Sequence, residues 1–250
     1  MRELAVIFGG ILALVAGPAL AEPTEVVVRV LSKDAKFIGT SMGGVRIELT
    51  TVTDDKRLLA EGKTVGGTGD TERLVVQPKE RHAVLAGEGD AAFRTTLDIT
   101  EPTLVRVTAT GPGKPGVGSD PVAVSTMRWL LPGQKPVGDG WVIEMPGLAV
   151  NVVAMPSKET LTLEATVTLM CGCPVTPGGL WNADHYTVTA WIRPDSGGEA
   201  VTVPMTYAGE PSTFTVQFPM KAGVEAYSVT VTATESDAGN TGVSTVGVLR

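Results

Sequence analysis

Histidine and cysteine are scarce in this sequence, with two of each among 250 residues. Neither His82 nor His185 stands in a recognisable catalytic motif. A nucleophile, a base and an orienting group therefore cannot be assembled from the residue pattern. The one catalytic-type pattern, Gly39-Thr40-Ser41-Met42-Gly43, fits a nucleophile elbow, but a strand rather than the required helix is expected after it. No catalytic residue is assigned, and the sequence favours a protein that is not an enzyme.

Clusters of basic residues and long apolar runs are also missing. The formal net charge is -7, from 20 Lys and Arg against 27 Asp and Glu, and no block of either sign stands out. Nucleic acid is excluded as a partner because phosphate neutralisation needs clustered Lys and Arg. No membrane span is expected after residue 21, because no apolar run there is as long as the roughly 20 residues that a helix needs to cross a bilayer.

The first 21 residues have the organisation of a secretory signal peptide. Arg2 precedes an apolar run over residues 4–15, Pro18 breaks it, and Ala19-Leu20-Ala21 forms a small-x-small cleavage signal. The mature chain is expected to begin at Glu22. The predicted location is periplasmic or secreted, where disulfides persist.

Alternation of apolar and polar residues dominates the rest of the chain, with turn clusters rich in Gly, Pro and Asp between the runs. This pattern predicts an all-β protein, with two antiparallel immunoglobulin-like β-sandwich domains in tandem after the signal peptide. The expected domains are residues 22–155 and 156–250. Residues 122–131 and 141–155 are interpreted as a hairpin-like pair, and "ERLVV" (72–76) as a strand.

Two segments resemble known families. "YSVTVTATESDAGNTGVSTVGV" (227–248) resembles the last two strands of bacterial immunoglobulin-like domains, whose turn often reads Asp-x-x-Gly-Asn. "GTSMGGVRIELTTVTDDKRLLAEGKTVGGTGD" (39–70) resembles a carboxypeptidase regulatory-like domain, with a Gly-rich entry, two strands and a closing Gly-Asp. Both resemblances imply a sandwich fold, and neither implies an activity.

Both cysteines lie at the end of an alternating run, "LTLEATVTLMCGC". Cys171 and Cys173 continue the apolar face of that run. In an extended strand their Cα atoms would lie about 6.6 Å apart, near the upper limit for a disulfide. Gly172 and Pro174 can bend the segment and shorten this gap. The sequence therefore favours a disulfide, and a thiol pair with redox activity is an alternative.

A soft-metal site is the main alternative at this position. Cys171, Cys173, Met170 and His185 together would form a ligand set that selects Cu(I). Strand parity opposes this reading, because Met170 faces away from the thiols unless a bulge at Gly172 reorients it. Plain buried thiols are a third possibility. No cofactor is expected under the disulfide and plain-thiol readings, and copper under the metal reading.

In the predicted strand "HYTVTAWI", Trp191 occupies one of the alternate positions whose other residues are polar, so its side chain is expected to point outward. An outward Trp is a candidate contact residue for a partner, which is either a protein or a component of the cell envelope. The expected function is that of an exported, non-enzymatic binding or envelope-structural protein that acts through its β-sandwich surfaces. The alternative is a copper-binding or thiol-redox protein that uses Cys171 and Cys173.

Overall fold

The computed structural model describes residues 22–53, 55–118 and 121–250, so the predicted signal peptide lies outside the described residues. Regular structure in these ranges is almost entirely β, which confirms the predicted all-β class. The strands are β1 (Glu22–Ser32), β2 (Arg46–Thr51), β3 (Leu58–Lys63), β4 (Phe93–Ile99), β5 (Thr103–Gly111), β6 (Val122–Leu130), β7 (Trp141–Met145), β8 (Leu148–Pro156), β9 (Thr160–Leu169), β10 (Tyr186–Pro194), β11 (Val201–Pro204), β12 (Thr206–Tyr207), β13 (Thr213–Pro219), β14 (Ala226–Glu235) and β15 (Thr241–Leu249).

Two sheets built from the first seven strands pack face to face. Their strand orders are β4-β1-β7 and β3-β2-β5-β6. Neighbours are antiparallel except β1 and β7, which run parallel. Alternate residues of the inner strands β1, β2 and β5 are buried between the sheets, for example Val28 and Val30 of β1 with Ile47 and Leu49 of β2. The period-2 pattern of the sequence is what places these side chains on one face.

A second pair of sheets is built from β8 to β15. Their orders are β12-β13-β9-β8 and β11-β10-β14-β15, and all pairs are antiparallel. Their shared core includes Leu161 and Leu163 of β9 with Val229 and Val231 of β14. The described chain is thus two packed pairs of sheets. No helix in residues 22–53, 55–118 or 121–250 has both the length and the apolar character needed to cross a membrane.

The predicted hairpin of residues 122–131 with 141–155 is wrong. The second segment divides at Pro146-Gly147 into β7, which pairs with β1, and β8, which pairs with β9. Ala149 continues the odd buried positions of β7 in the core of the first pair of sheets, whereas Leu148 and Val150 are buried in the core of the second. Successive side chains of a strand point to opposite faces, so the start of β8 contributes to both cores, and its backbone pairs with β9 rather than with β6.

The segment "ERLVV" is also not a strand. Glu72–Val76 forms a single π-helical turn, and Leu74 is buried in it beside Phe37 and Ala91. Asp70 begins the turn, because its carboxylate accepts a hydrogen bond from the N–H of Arg73 at 2.8 Å. A local cap therefore overrides the β propensity of the two valines.

The domain division at residues 155 and 156 stays a prediction, and hydrogen bonding favours an earlier position. Because β8 pairs with β9 along its whole length, a cut after residue 155 would separate β8 from its partner. The two halves also contact each other. Met170, which follows β9, is buried in the core of the first pair of sheets, and Ala35, from the turn after β1, is buried in the core of the second.

Candidate functional site

Cys171 and Cys173 form a disulfide bridge. Strand β9 ends at Leu169, and Gly172 lies between the cysteines with a left-handed φ of 79°. Its N–H donates to the carbonyl of Leu169 at 2.8 Å, which turns the chain and brings the two Cα atoms to 5.4 Å. The bend at Gly172 is the feature that shortens the gap expected for an extended strand. Both cysteines lie in the core of the second pair of sheets, 2% and 4% exposed.

The structure does not bring the other predicted copper ligands together with the cysteines in one core. Met170 is buried among residues of the first pair of sheets. His185 lies in a short 3-10 turn, Ala183–His185, where its Nδ1 contacts Oδ2 of Asp237 at 2.5 Å. In the described ranges, no group of three or more His, Cys, Asp or Glu side chains could hold a metal ion. Copper binding and thiol redox activity stay predictions that no contact of these residues favours.

Burial of the bridge leads to a prediction about thiol reactivity. After reduction, Cys171 and Cys173 should be alkylated slowly in the folded protein and at once in denaturant, because neither sulfur lies at the surface. In the double variant C171S/C173S, loss of the cross-link should lower the free energy of unfolding only slightly, because the bridge closes a very short loop. The larger part of the destabilisation should come from placing two hydroxyl groups in an apolar core. Mass spectrometry after timed alkylation measures the reactivity of the thiols, and urea unfolding measures the stability of the double variant. Rapid modification of the native protein would contradict the buried position.

Trp191 lies on the outer face of the sheet β11-β10-β14-β15 and is 44% exposed. We call this face the threonine face, because the register aligns hydroxyl-bearing residues across three strands. The aligned rows are Thr187 with Thr234 and Thr241, Thr189 with Thr232, and Trp191 with Thr230 and Thr245. Neighbouring hydroxyls are therefore spaced by about 4.8 Å across the strands and about 6.7 Å along them.

The indole of Trp191 is held in position on this face. Its Nε1–H donates to Oγ1 of Thr232 on the neighbouring strand at 3.2 Å. The ring therefore leans across β14. An open cleft of about 290 Å³ lies beside it, lined by Trp191, Arg193, Ala200, Ser228 and Thr230. Arg193 is the one charged side chain among the outward residues of the fully described strands β10, β14 and β15.

A second opening lies where the two halves of the chain meet. We call it the acidic groove; it has a volume of about 290 Å³, and its lining includes Asp34, Trp181, His185, Tyr186, Glu235 and Asp237. Trp181 connects the halves, because its Nε1–H donates to the backbone carbonyl of Asp34 at 2.9 Å. Asp34 has a left-handed φ of 57° in the turn that follows β1. The groove therefore combines an aromatic wall with three carboxyl groups.

Electrostatics in the acidic groove disfavour further negative charge. Partial burial, followed by repulsion from Glu235 and Asp237, raises the pKa of Asp34, and Lys79 opposes this rise. Burial and the same three carboxyl groups raise the pKa of the Tyr186 phenol. Glu235 accepts hydrogen bonds from the backbone N–H groups of Asp237 and Ala238, which fixes its carboxylate in place. Ionisation of the Tyr186 phenol is therefore disfavoured by both its burial and the negative charge around it.

Sequence reasoning found Trp191 but missed the acidic groove. Parity assigns Tyr186 correctly to the inward set of β10, and nothing in the pattern indicates that its strand ends at an opening. Asp34 and Trp181 lie in irregular segments 147 residues apart. Residues in irregular loops do not follow the apolar and polar alternation of strands, so the sequence pattern cannot predict the contact between Trp181 and Asp34. Only the tertiary structure reveals it. Comparisons with models of protein families and with curated proteins found no match to this chain.

Proposed function

We propose that this protein is an exported, non-enzymatic binding protein of the cell envelope, built from immunoglobulin-like sandwiches, and that the threonine face is its binding surface. The proposed ligand is a polyhydroxylated polymer, such as an envelope polysaccharide. The observation that carries the proposal is the half-exposed Trp191, held by Thr232 above rows of threonine hydroxyls. Export rests on the predicted signal peptide, residues 1–21.

The chemistry of the face supports a neutral, hydroxyl-rich ligand. A hydroxyl both donates and accepts hydrogen bonds, so a row of threonines matches a ligand that also carries many hydroxyls. An aromatic ring supplies apolar contact area at a low cost in conformational entropy. The outward residues of β10, β14 and β15 carry no acidic side chain, although the whole protein has a net charge of -7.

A protein partner fits this face less well. Interface cores between proteins are apolar patches with several aromatic or large aliphatic residues. Here, Trp191 is surrounded by hydroxyl side chains, with Val243 as the apolar neighbour on β15. The flat polar surface instead resembles a platform, with a cleft at Arg193 that can receive one protruding group.

Co-sedimentation with an insoluble polysaccharide tests the proposal. Cells that make residues 1–250 should release protein beginning at Glu22 from the periplasm or the medium, and this purified protein should sediment with isolated peptidoglycan sacculi. W191A should weaken the binding by at least about tenfold, because a central aromatic contact contributes about 2 kcal/mol or more. W129A is the matched control, since Trp129 is an exposed Trp on β6. Equal loss in both variants, or no binding of the wild type to any envelope polysaccharide, would overturn the proposal.

A further inference from the structure

Arg193 lies on the threonine face, next to Trp191 in the outward set of β10. It is exposed, it is paired in register with Ser228 of β14, and it lines the cleft beside the indole. Asp195 and Glu199 lie in the turn between β10 and β11. Among the described residues, however, the Arg193 guanidinium forms no hydrogen bond, ion pair or ring contact. Its positive charge is therefore available to a ligand in the cleft.

Several other arginines are used by the fold itself. Arg29 and Arg250 donate hydrogen bonds to backbone carbonyls. Arg46 forms ion pairs with two carboxylates, and Arg128 packs over an indole ring. A guanidinium has five N–H donors in a planar arrangement, and at Arg193 no described contact occupies them. The fold does not explain this arginine, so a ligand of the cleft is the partner that its chemistry suits.

We propose that Arg193 makes the threonine face specific for carboxylated polysaccharides, because its guanidinium binds a carboxylate that projects from the polymer into the cleft beside Trp191. This inference rests on the proposed function of that face. The planar guanidinium can donate two parallel hydrogen bonds to the two oxygens of one carboxylate. Ser228 and Thr230 line the same cleft, and their hydroxyl groups suit the sugar hydroxyls next to that carboxylate.

Size and charge both suit an anionic group in this cleft. About 290 Å³ is the space of roughly ten water molecules, at about 30 Å³ each, which accommodates a carboxylate with the sugar ring that carries it. The outward residues of the fully described strands β10, β14 and β15 carry no acidic side chain. The whole protein has a net charge of -7 and repels an acidic polymer at long range. Binding of such a polymer therefore needs a local contact of the kind that Arg193 offers.

Polymers with and without their carboxylate charge test the inference. The first pair is peptidoglycan sacculi, untreated or with the carboxyl groups converted to neutral amides, and the second is polygalacturonate and its methyl ester. We expect neutralisation to weaken binding of the mature protein about three- to tenfold. A loss in the sacculus pair alone would assign the carboxylate to the peptides of peptidoglycan, and a loss in the polygalacturonate pair would assign it to a sugar. Equal affinity within both pairs, or no binding to either untreated polymer, would overturn the inference.

Variants of Arg193 locate the contact. R193Q should bind the carboxylated polymer as weakly as the wild type binds its neutral form, and R193K should be intermediate, because it keeps the charge and loses the planar pair of donors. R94Q is the matched control, since it removes the same charge from an exposed arginine on β4. All three variants should keep the melting temperature of the wild type, because both arginines are exposed. Equal affinity of R193Q and R94Q for the carboxylated polymer would contradict the assignment.

Salt dependence gives a second signature of this contact. Raising the ionic strength from about 0.1 M to about 1 M shortens the Debye length from about 10 Å to about 3 Å. This change should weaken binding of the wild type to the carboxylated polymer and leave binding of R193Q nearly unchanged. Comparison with W191A separates this inference from the proposed function. W191A should weaken binding to both forms of the polymer, so loss in W191A with no loss in R193Q would leave the threonine face as the binding surface and overturn the role of Arg193 alone.

Discussion

W181A should lower the free energy of unfolding by about 3–5 kcal/mol, which is the range for removing a large aromatic side chain from a core. Trp181 is 9% exposed and belongs to the core of the second pair of sheets. Its Nε1–H also donates to the carbonyl of Asp34, which belongs to the turn after β1. The substitution therefore removes apolar contacts in one half of the chain and a hydrogen bond to the other.

Urea unfolding monitored by far-UV circular dichroism measures this effect. W181F separates the two contributions, because it retains most of the buried area and loses the hydrogen bond, for an expected cost of about 0.5–1.5 kcal/mol. W129A provides the control, since the 61% exposed Trp129 should change stability by no more than about 0.5 kcal/mol. If W181A cost no more than W129A, the described contact between the halves would be wrong.

Parity explains why the cores were predictable from the sequence. In β9, the prediction placed Leu161, Leu163 and Val167 on one buried face, and all three are fully buried. Alternation has a period of two, so the identity of each residue reports its face directly. The same logic placed Trp191 on the outer face, where it is half-exposed. Surfaces formed by one strand or sheet are thus accessible to sequence reasoning.

Parity also explains what the sequence could not reveal. Parity predicts that Met170 faces away from the cysteines, and the structure places it in a different core from theirs. It is nevertheless buried, because the other half of the chain covers it. The acidic groove has the same origin, since Asp34 reaches it from one half and Tyr186 from the other. Local pattern carries no information about which face meets another layer of structure.

Asn240 is the second residue whose loss should have a large effect, although the sequence "DAGN" (237–240) by itself predicts only a turn. It is buried, and its Oδ1 accepts a hydrogen bond from the N–H of Gly147 at 2.9 Å. Its Nδ2 donates to the carbonyl of Lys33 at 3.3 Å. One amide side chain thus connects the β14–β15 turn with the β7–β8 junction and with the turn after β1.

N240A should lower the free energy of unfolding by about 1–3 kcal/mol, because the buried N–H of Gly147 is left without its acceptor. N151A is the matched control, since Asn151 is only partly buried and makes no described side-chain hydrogen bond; its change should stay within about 0.5 kcal/mol. Urea unfolding compares the two. Equal stability of N240A and N151A would contradict a structural role for the Asn240 amide.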